Sequence, residues 1–339
     1  TERRKFVTVL GVTRAELHAA WDEIAESGFY TEGKYTKLFE EDAAKKHTAH
    51  AVAMSSCGAG LFALFRQFEP CDVIVPANTF FATGAMAREA GHNVILADCA
   101  PDDFSIGVEQ IEAVRTPKTR IVVLTHVGGW LAKQYREVAD YCGARGLVLI
   151  EDAAHVYGSM QEQKLSPDHV RLAKAGSLGT AAVFSFYPTK AVPAGEGGLV
   201  VTKDETLSLA VKMFRNYGKH KDDDGVIHYC RGRRSGFNLR MDEWTAAVAY
   251  LQSRRLGEIM QLRNEAAARL QVVFPRHPFV PWVGNCWYKY PILPNEKIKK
   301  LTGPIYQASD QLPTALGIGG SFPNAEALAQ NHVCLPIDE

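Results

Sequence analysis

The stretch Phe184–Gly198, FSFYPTKAVPAGEGG, sets Lys190 just past a short apolar run and ahead of a Pro/Gly/Glu turn. Residues 181–186 have the pattern of a buried strand. A lysine at the end of such a strand has a rigid mount. As a neutral amine it can attack a carbonyl, and the commonest cofactor needing a lysine Schiff base is pyridoxal phosphate (PLP). Ser185, five residues earlier, offers a hydroxyl to a phosphate. A surface lysine in a glycine turn fits the same letters, and this stretch alone does not separate the two.

A second stretch bears on the choice. Leu147–Asp152, LVLIED, is an apolar run ending in carboxylates, the pattern of a buried parallel strand. Open α/β sheets bind ligands at the carboxyl ends of their strands. PLP chemistry needs a carboxylate against the pyridine nitrogen, to keep it protonated and the ring electron-accepting. Asp152 stands at the right end of such a strand. A helix N-cap is the other reading of an aspartate there, and spacing leaves both open.

Working outward, short apolar runs at 50–55, 72–76, 93–97, 120–125 and 199–202 alternate with helical patterns. That alternation predicts an α/β fold with a mostly parallel sheet flanked by helices. Residues 13–27 read as an amphipathic helix with a Thr13/Glu16 capping box, ended by Gly28, and a second helix follows within 31–47. The small-residue loop Ser56-Cys57-Gly58-Ala59-Gly60 opens another helix, a place where backbone N–H groups and the helix dipole suit a phosphate. His126 ends a strand, either lining a site or bonded structurally. Residues 160–179 read as an exposed loop. The charge-rich segment 219–234 reads as a mobile loop, in which Arg231, Arg233 and Arg234 either grip a diphosphate or form a solvated basic turn. A long helical pattern runs from residue 242 to 271, and residues 286–293 read as a strand.

These motifs together resemble the DegT/StrS family of PLP-dependent sugar aminotransferases. FSFYPTKAVPAGEGG and EDAAHVYGS (151–159) carry the likeness. It extends to residues 27–56, VPANTFFATGAMAREAGHNVILADCAPDDFSI (75–106), RNYG (215–218) and GFNLRM (236–241), in order along the chain. The resemblance implies PLP fold type I: a large domain with a seven-stranded-type sheet (residues 1–240), then a linking helix and a smaller α/β C-terminal domain (241–339). It implies catalytic roles for Lys190 and Asp152. It places the cofactor's phosphate on Gly58, Ala59 and Ser185, its ring face on Phe80, and its phenolic oxygen near His155. Asn238 is implied to reach across a two-fold interface to the partner's phosphate, giving a homodimer with shared active sites. Where the family usually has Gly-Thr, this chain has Cys57-Gly58, so one hydroxyl contact is lost. The segment near 304–312 and the chain end match less cleanly.

The implied activity moves an amino group from glutamate or glutamine to a ketosugar, most simply a nucleotide-linked keto-6-deoxyhexose. A keto-cyclitol acceptor and a PLP-binding regulatory protein without turnover are the alternatives. Relatives that remove a sugar hydroxyl carry His at the lysine position; Lys190 disfavours that chemistry.

Composition agrees. The 339 residues are 46% hydrophobic and 22% charged, enough apolar mass for a large core and a smaller one. A net charge of +0 argues against bulk nucleic-acid or anionic-membrane binding. No apolar run is long enough for a membrane span, and none follows the basic TERRK start as a signal peptide would require. The seven cysteines lack metal-ligand spacing; no metal site is expected, and free thiols in a reducing cytoplasm are.

Overall fold

A computed structural model describes residues 12–47, 49–166, 169–221, 224–229, 235–294, 296–299, 302–306 and 312–337. The chain opens with α1 (Arg14–Ser27), α2 (Lys34–His47), β1 (His50–Met54), α3 (Cys57–Phe65), β2 (Asp72–Pro76), α4 (Phe81–Glu89) and β3 (Asn93–Ala97). There follow α5 (Val108–Val114), β4 (Thr119–Thr125), α6 (Tyr135–Ala144), β5 (Val148–Asp152), β6 (Met160–Ser166), β7 (His169–Lys174), β8 (Ala181–Ser185) and β9 (Gly198–Thr202). The remainder comprises α7 (Glu205–Phe214), β10 (Lys219–Lys221), β11 (Ile227–Tyr229), α8 (Glu243–Arg254), α9 (Leu256–Val273), β12 (Tyr290–Ile292), α10 (Glu296–Lys299), α11 (Leu312–Leu316), α12 (Pro323–Gln330) and β13 (Val333–Leu335).

Seven strands take the order β1-β9-β8-β5-β4-β2-β3, the expected mostly parallel sheet. Pairing is parallel through β5, β4, β2 and β3, and antiparallel between β1 and β9. Val73–Val75 and Ile121–Leu124 are fully buried, as strands covered on both faces require. Each such side chain contributes roughly 1.5–3 kcal/mol by leaving water.

By packing, the chain divides into two compact units, Thr1–Glu69 with Val183–Ile259, and Pro70–Ala182 with Met260–Glu339. In the first unit, α1 starts on the capping box read from sequence: Glu16 N–H donates to Thr13 Oγ1 (3.2 Å) and Thr13 N–H to Glu16 Oε2 (2.8 Å). Gly28, at φ +69°, ends it in the left-handed region. Buried Glu243, the first residue of α8, holds the start of α2. It accepts from the N–H groups of Gly33 (3.0 Å), Tyr35 (2.7 Å) and Thr36 (2.9 Å), and from the Thr36 hydroxyl. These amides are the donors a helix start leaves unpaired, and a carboxylate suits that end of the dipole.

In the second unit, Met160–Ser166 and His169–Lys174 pair antiparallel as β6 and β7, where an exposed loop was expected. The polar, Pro-interrupted sequence hides the pairing, yet Ala173 and Ala175 are buried. In the first unit, β10 and β11 pair within the charge-rich segment; both are three-residue surface strands, too short for periodicity to reveal, which corrects the reading of a plain loop. The helical pattern of 242–271 is two helices, α8 and α9, parted at Arg255. The strand expected at 286–293 shortens to β12, because Trp287 adopts φ +52°. Among the described residues no helix is long and apolar enough to cross a membrane.

Replacing Glu243 with Ala leaves several buried donors unsatisfied, each worth about 1–3 kcal/mol. Glu243→Ala is expected to lower stability by roughly 3 kcal/mol in denaturant unfolding, with the loss of protection concentrated in α2 by hydrogen exchange.

Candidate active site

In the first unit, the lysine turn is held by backbone hydrogen bonds. β8 is buried along its length and ends at Ser185. Phe186 N–H donates to Gly197 O (3.0 Å), Ala194 N–H to Phe186 O (2.7 Å), and Lys190 N–H to Tyr187 O (2.9 Å). Lys190 is half-buried in that turn, and Ser185 is nearly enclosed.

The same turn fixes the start of α3. Ser56 and Gly197 form a parallel bridge. A Cβ at Gly198 would lie 2.3 Å from the Ser56 carbonyl, so only glycine permits this approach of backbone to backbone. Ser56 is the N-cap of α3, its hydroxyl accepting from Ala59 N–H at 3.0 Å. Gly58 and Ala59 therefore lie in the first helical turn, not in a loop before it. Leu239 O accepts from Ser55 N–H (2.8 Å), which brings the neighbouring Asn238 to this edge; Asn238 is exposed and bridges Asn216. The unit thus gathers Gly58, Ala59, Ser185, Lys190 and Asn238 around one set of backbone contacts. Arg231, Arg233 and Arg234 lie outside the described residues.

In the second unit, β4 and β5 pair in register so that Thr125 lies opposite Asp152. Asp152 is buried, and its Oδ2 accepts from Thr83 Oγ1 at 2.6 Å. Its Oδ1 accepts from Ala154 N–H at 3.2 Å in a turn. No helix follows, which removes the N-cap reading. Phe80 precedes α4 with its ring exposed, 4.4 Å from that of Phe81, so it is not a core phenylalanine.

His155 is buried between aromatic rings, 4.2 Å from Tyr288 and 5.6 Å from Tyr306 by centroid. Its Nδ1 accepts from Gly128 N–H (3.2 Å), so Nε2 carries the proton and donates to the Tyr306 hydroxyl oxygen (3.0 Å). His126 is a structural histidine. Its Nδ1 accepts from Ala132 N–H (3.1 Å) and its Nε2 donates to fully buried Glu151 (3.1 Å). Glu151 also accepts from Tyr135 (2.7 Å) and from the amides of Gly176 (2.7 Å) and Gly179 (2.6 Å). Burial pushes its carboxyl up, but His126, Tyr135 and the Gly179 amide outweigh it and hold the group below its usual range.

Sequence reasoning gave no role to Thr79, Thr83, Thr125, Tyr288, Tyr306 or Glu151. The threonines carried a signal: Thr79 and Thr83 are four apart at a helix start, and Thr125 ends a strand. Among the described residues no cluster suits a metal ion, and six cysteines are free. What the two units present is a mounted amine beside a helix N-terminus, and a buried carboxylate with hydroxyl support. An amine suits carbonyl chemistry, and a helix N-terminus suits a phosphate.

Such chemistry agrees with what the chain is similar to. The model of the DegT/DnrJ/EryC1/StrS aminotransferase family matches residues 12–339. The chain belongs to that family. It is 31% identical to the spore coat polysaccharide biosynthesis protein SpsC of Bacillus subtilis over 291 residues, 81% of this chain and 72% of that protein. It is 30% identical to a dTDP-3-amino-3,4,6-trideoxy-alpha-D-glucose transaminase of Micromonospora megalomicea over 271 residues, 76% of this chain and 66% of that enzyme. The solved structure of Helicobacter pylori PseC, an aminotransferase of pseudoaminic acid biosynthesis, superposes with a TM-score of 0.82 at 26% identity, covering 96% of this chain and 91% of that one.

One buried histidine makes the second unit pH-sensitive. His332 donates from Nδ1 to Leu328 O (2.6 Å) and accepts at Nε2 from Ile305 N–H (2.9 Å), next to Tyr306. Burial lowers its pKa from 6.5 to about 4. Between these values the unfolded chain binds a proton that the folded one refuses, so stability rises with pH through that window. The contribution is complete above about pH 6.5 and is lost toward pH 4, up to about 3 kcal/mol. His332→Gln is expected to flatten the acid limb of a stability–pH profile by that amount; an unchanged slope contradicts the assignment.

Proposed function

We propose that this chain is a PLP-dependent aminotransferase that moves an amino group from glutamate or glutamine to a nucleotide-linked keto-6-deoxyhexose. The observation that carries it is the lysine turn, with Lys190 at the end of a buried strand and the N-terminus of α3 locked beside it through Gly197 and Gly198. The transaminase similarity to a dTDP-sugar enzyme supports the acceptor class.

The residues fit the cofactor. Asp152 is a buried carboxylate that accepts from the Thr83 hydroxyl and the Ala154 amide, and it suits a protonated ring nitrogen. Ser185 and the first turn of α3, with Gly58 and Ala59, suit the phosphate. Phe80 offers an exposed face to the ring, while His155, bonded at one nitrogen to the Gly128 amide and at the other to the Tyr306 hydroxyl, would have to exchange one of these bonds to reach the phenolic oxygen. When bound, PLP supplies an electron sink for the carbon that loses or gains nitrogen.

The chain's own residues do the rest. Lys190 would be the residue that holds the cofactor through its amine. Its neutral amine would be the base placed to move a proton between the substrate carbon and the cofactor carbon, in one direction with the donor and in the other with the sugar. Asp152 would keep the ring nitrogen of the bound cofactor protonated. Arg231, Arg233 and Arg234 grip the diphosphate of the sugar carrier. Asn238 completes the partner's phosphate site in a cytoplasmic homodimer. The division into a PLP-binding domain (1–240) and a small domain (241–339) belongs to the same reading.

Lys190→Ala is expected to abolish both turnover and the borohydride-trapped PLP adduct. A trapped adduct on another lysine refutes the assignment. Incubation with glutamate is expected to release 2-oxoglutarate in a ping-pong pattern. Mass spectrometry across nucleotide-ketosugars and keto-cyclitols then identifies the acceptor. Amination of keto-cyclitols alone overturns the sugar assignment, and no amination of either favours a binding protein without turnover.

A further inference from the structure

Three threonine hydroxyls stand in line behind Asp152. Thr83 Oγ1 lies 2.6 Å from Asp152 Oδ2, Thr79 Oγ1 lies 3.2 Å from Thr83 Oγ1, and Thr125 Oγ1 lies 3.1 Å from Thr79 Oγ1. All four side chains are buried. Three elements supply them. Thr79 and Thr83 are one turn apart at the start of α4, linked by Thr83 N–H to Phe80 O (3.1 Å). Thr125 ends β4 and pairs with Asp152 at the end of β5.

The direction of the chain follows from the charge at one end. A carboxylate only accepts, so Thr83 donates to it. A hydroxyl has one proton. Thr83 therefore accepts from Thr79, and Thr79 accepts from Thr125. One negative charge orients three rotors, and their aligned dipoles reinforce one another in a buried setting.

We propose that this chain is a positioning device for the reaction. Thr83, backed by Thr79 and Thr125, fixes the rotamer of Asp152 and turns three positive dipole ends toward it, so that the carboxylate presents one fixed lone pair to the PLP ring nitrogen. The proposal rests on the reading that Asp152 faces that nitrogen. Thr83 touches no reacting atom; it acts through Asp152.

The test uses PLP-loaded full-length protein. Asp152→Asn examines the underlying reading: a large loss of turnover is expected, and wild-type turnover sinks the Asp152 assignment together with the proposal. Thr83→Val keeps the shape and removes the hydroxyl. It is expected to lower kcat about tenfold, with the donor KM within about twofold, since hydrogen bonds to charged groups are worth about that factor or more. It should also displace the visible absorption maximum of the bound cofactor and weaken PLP retention on dialysis. Thr83→Ser restores the hydroxyl and is expected to recover all three. Thr79→Val leaves the Thr83–Asp152 bond in place and should cost about threefold in kcat, with a smaller spectral displacement. If Thr83→Val does not fold, Thr79→Val and Thr83→Ser carry the test. A Thr83→Val protein with the wild-type spectrum, retention and kcat overturns the proposal while Asp152→Asn still reports on Asp152. So does a Thr83→Ser protein as impaired as Thr83→Val, or a Thr79→Val protein with no change.

Discussion

Two carboxylates, consecutive in sequence, end β5 on opposite faces of the sheet. Side chains alternate along a strand, so Glu151 and Asp152 must part company. Glu151 turns to His126, Tyr135 and the amides at 176–179, and ties down the end of β4 and the loop before β8. Asp152 turns to Thr83 and the start of α4. Both are buried, and a buried charge without partners is too costly to keep. The segments that answer these two charges are therefore fixed by them. One carboxylate ties strand to loop; the other meets the start of α4.

Much of this was legible in the sequence. The strands announce themselves as short apolar runs, and the candidate residues stand near their carboxyl ends. Lys190 and Asp152 were both readable because each follows such a run. The α1 capping box was legible because it needs only local letters, Thr13 and Glu16 at the right spacing.

What escaped was whatever depends on distant partners. Glu243 reads as an ordinary first-turn acid of α8, yet its role is to hold residues 33–36, more than two hundred positions away. The Asp152 support is scattered over Thr79, Thr83 and Thr125, whose small side chains look like filler until three elements meet. The pairings of β6 with β7 and of β10 with β11 involve mostly polar or very short strands, so periodicity gave little warning of them. His126 looked equally suited to a site or to the core, and only the proton count on its two nitrogens separates those roles.

The contact at Gly198 reaches beyond local geometry. Because main chain meets main chain there, no rotamer change can absorb a larger neighbour, and the amine's turn and the helix start behave as one casting. Evolution and engineers alike are pushed elsewhere when they want a new substrate. Contacts made through side chains tolerate variation, whereas residues 195–198 and 55–58 have to travel together or not at all.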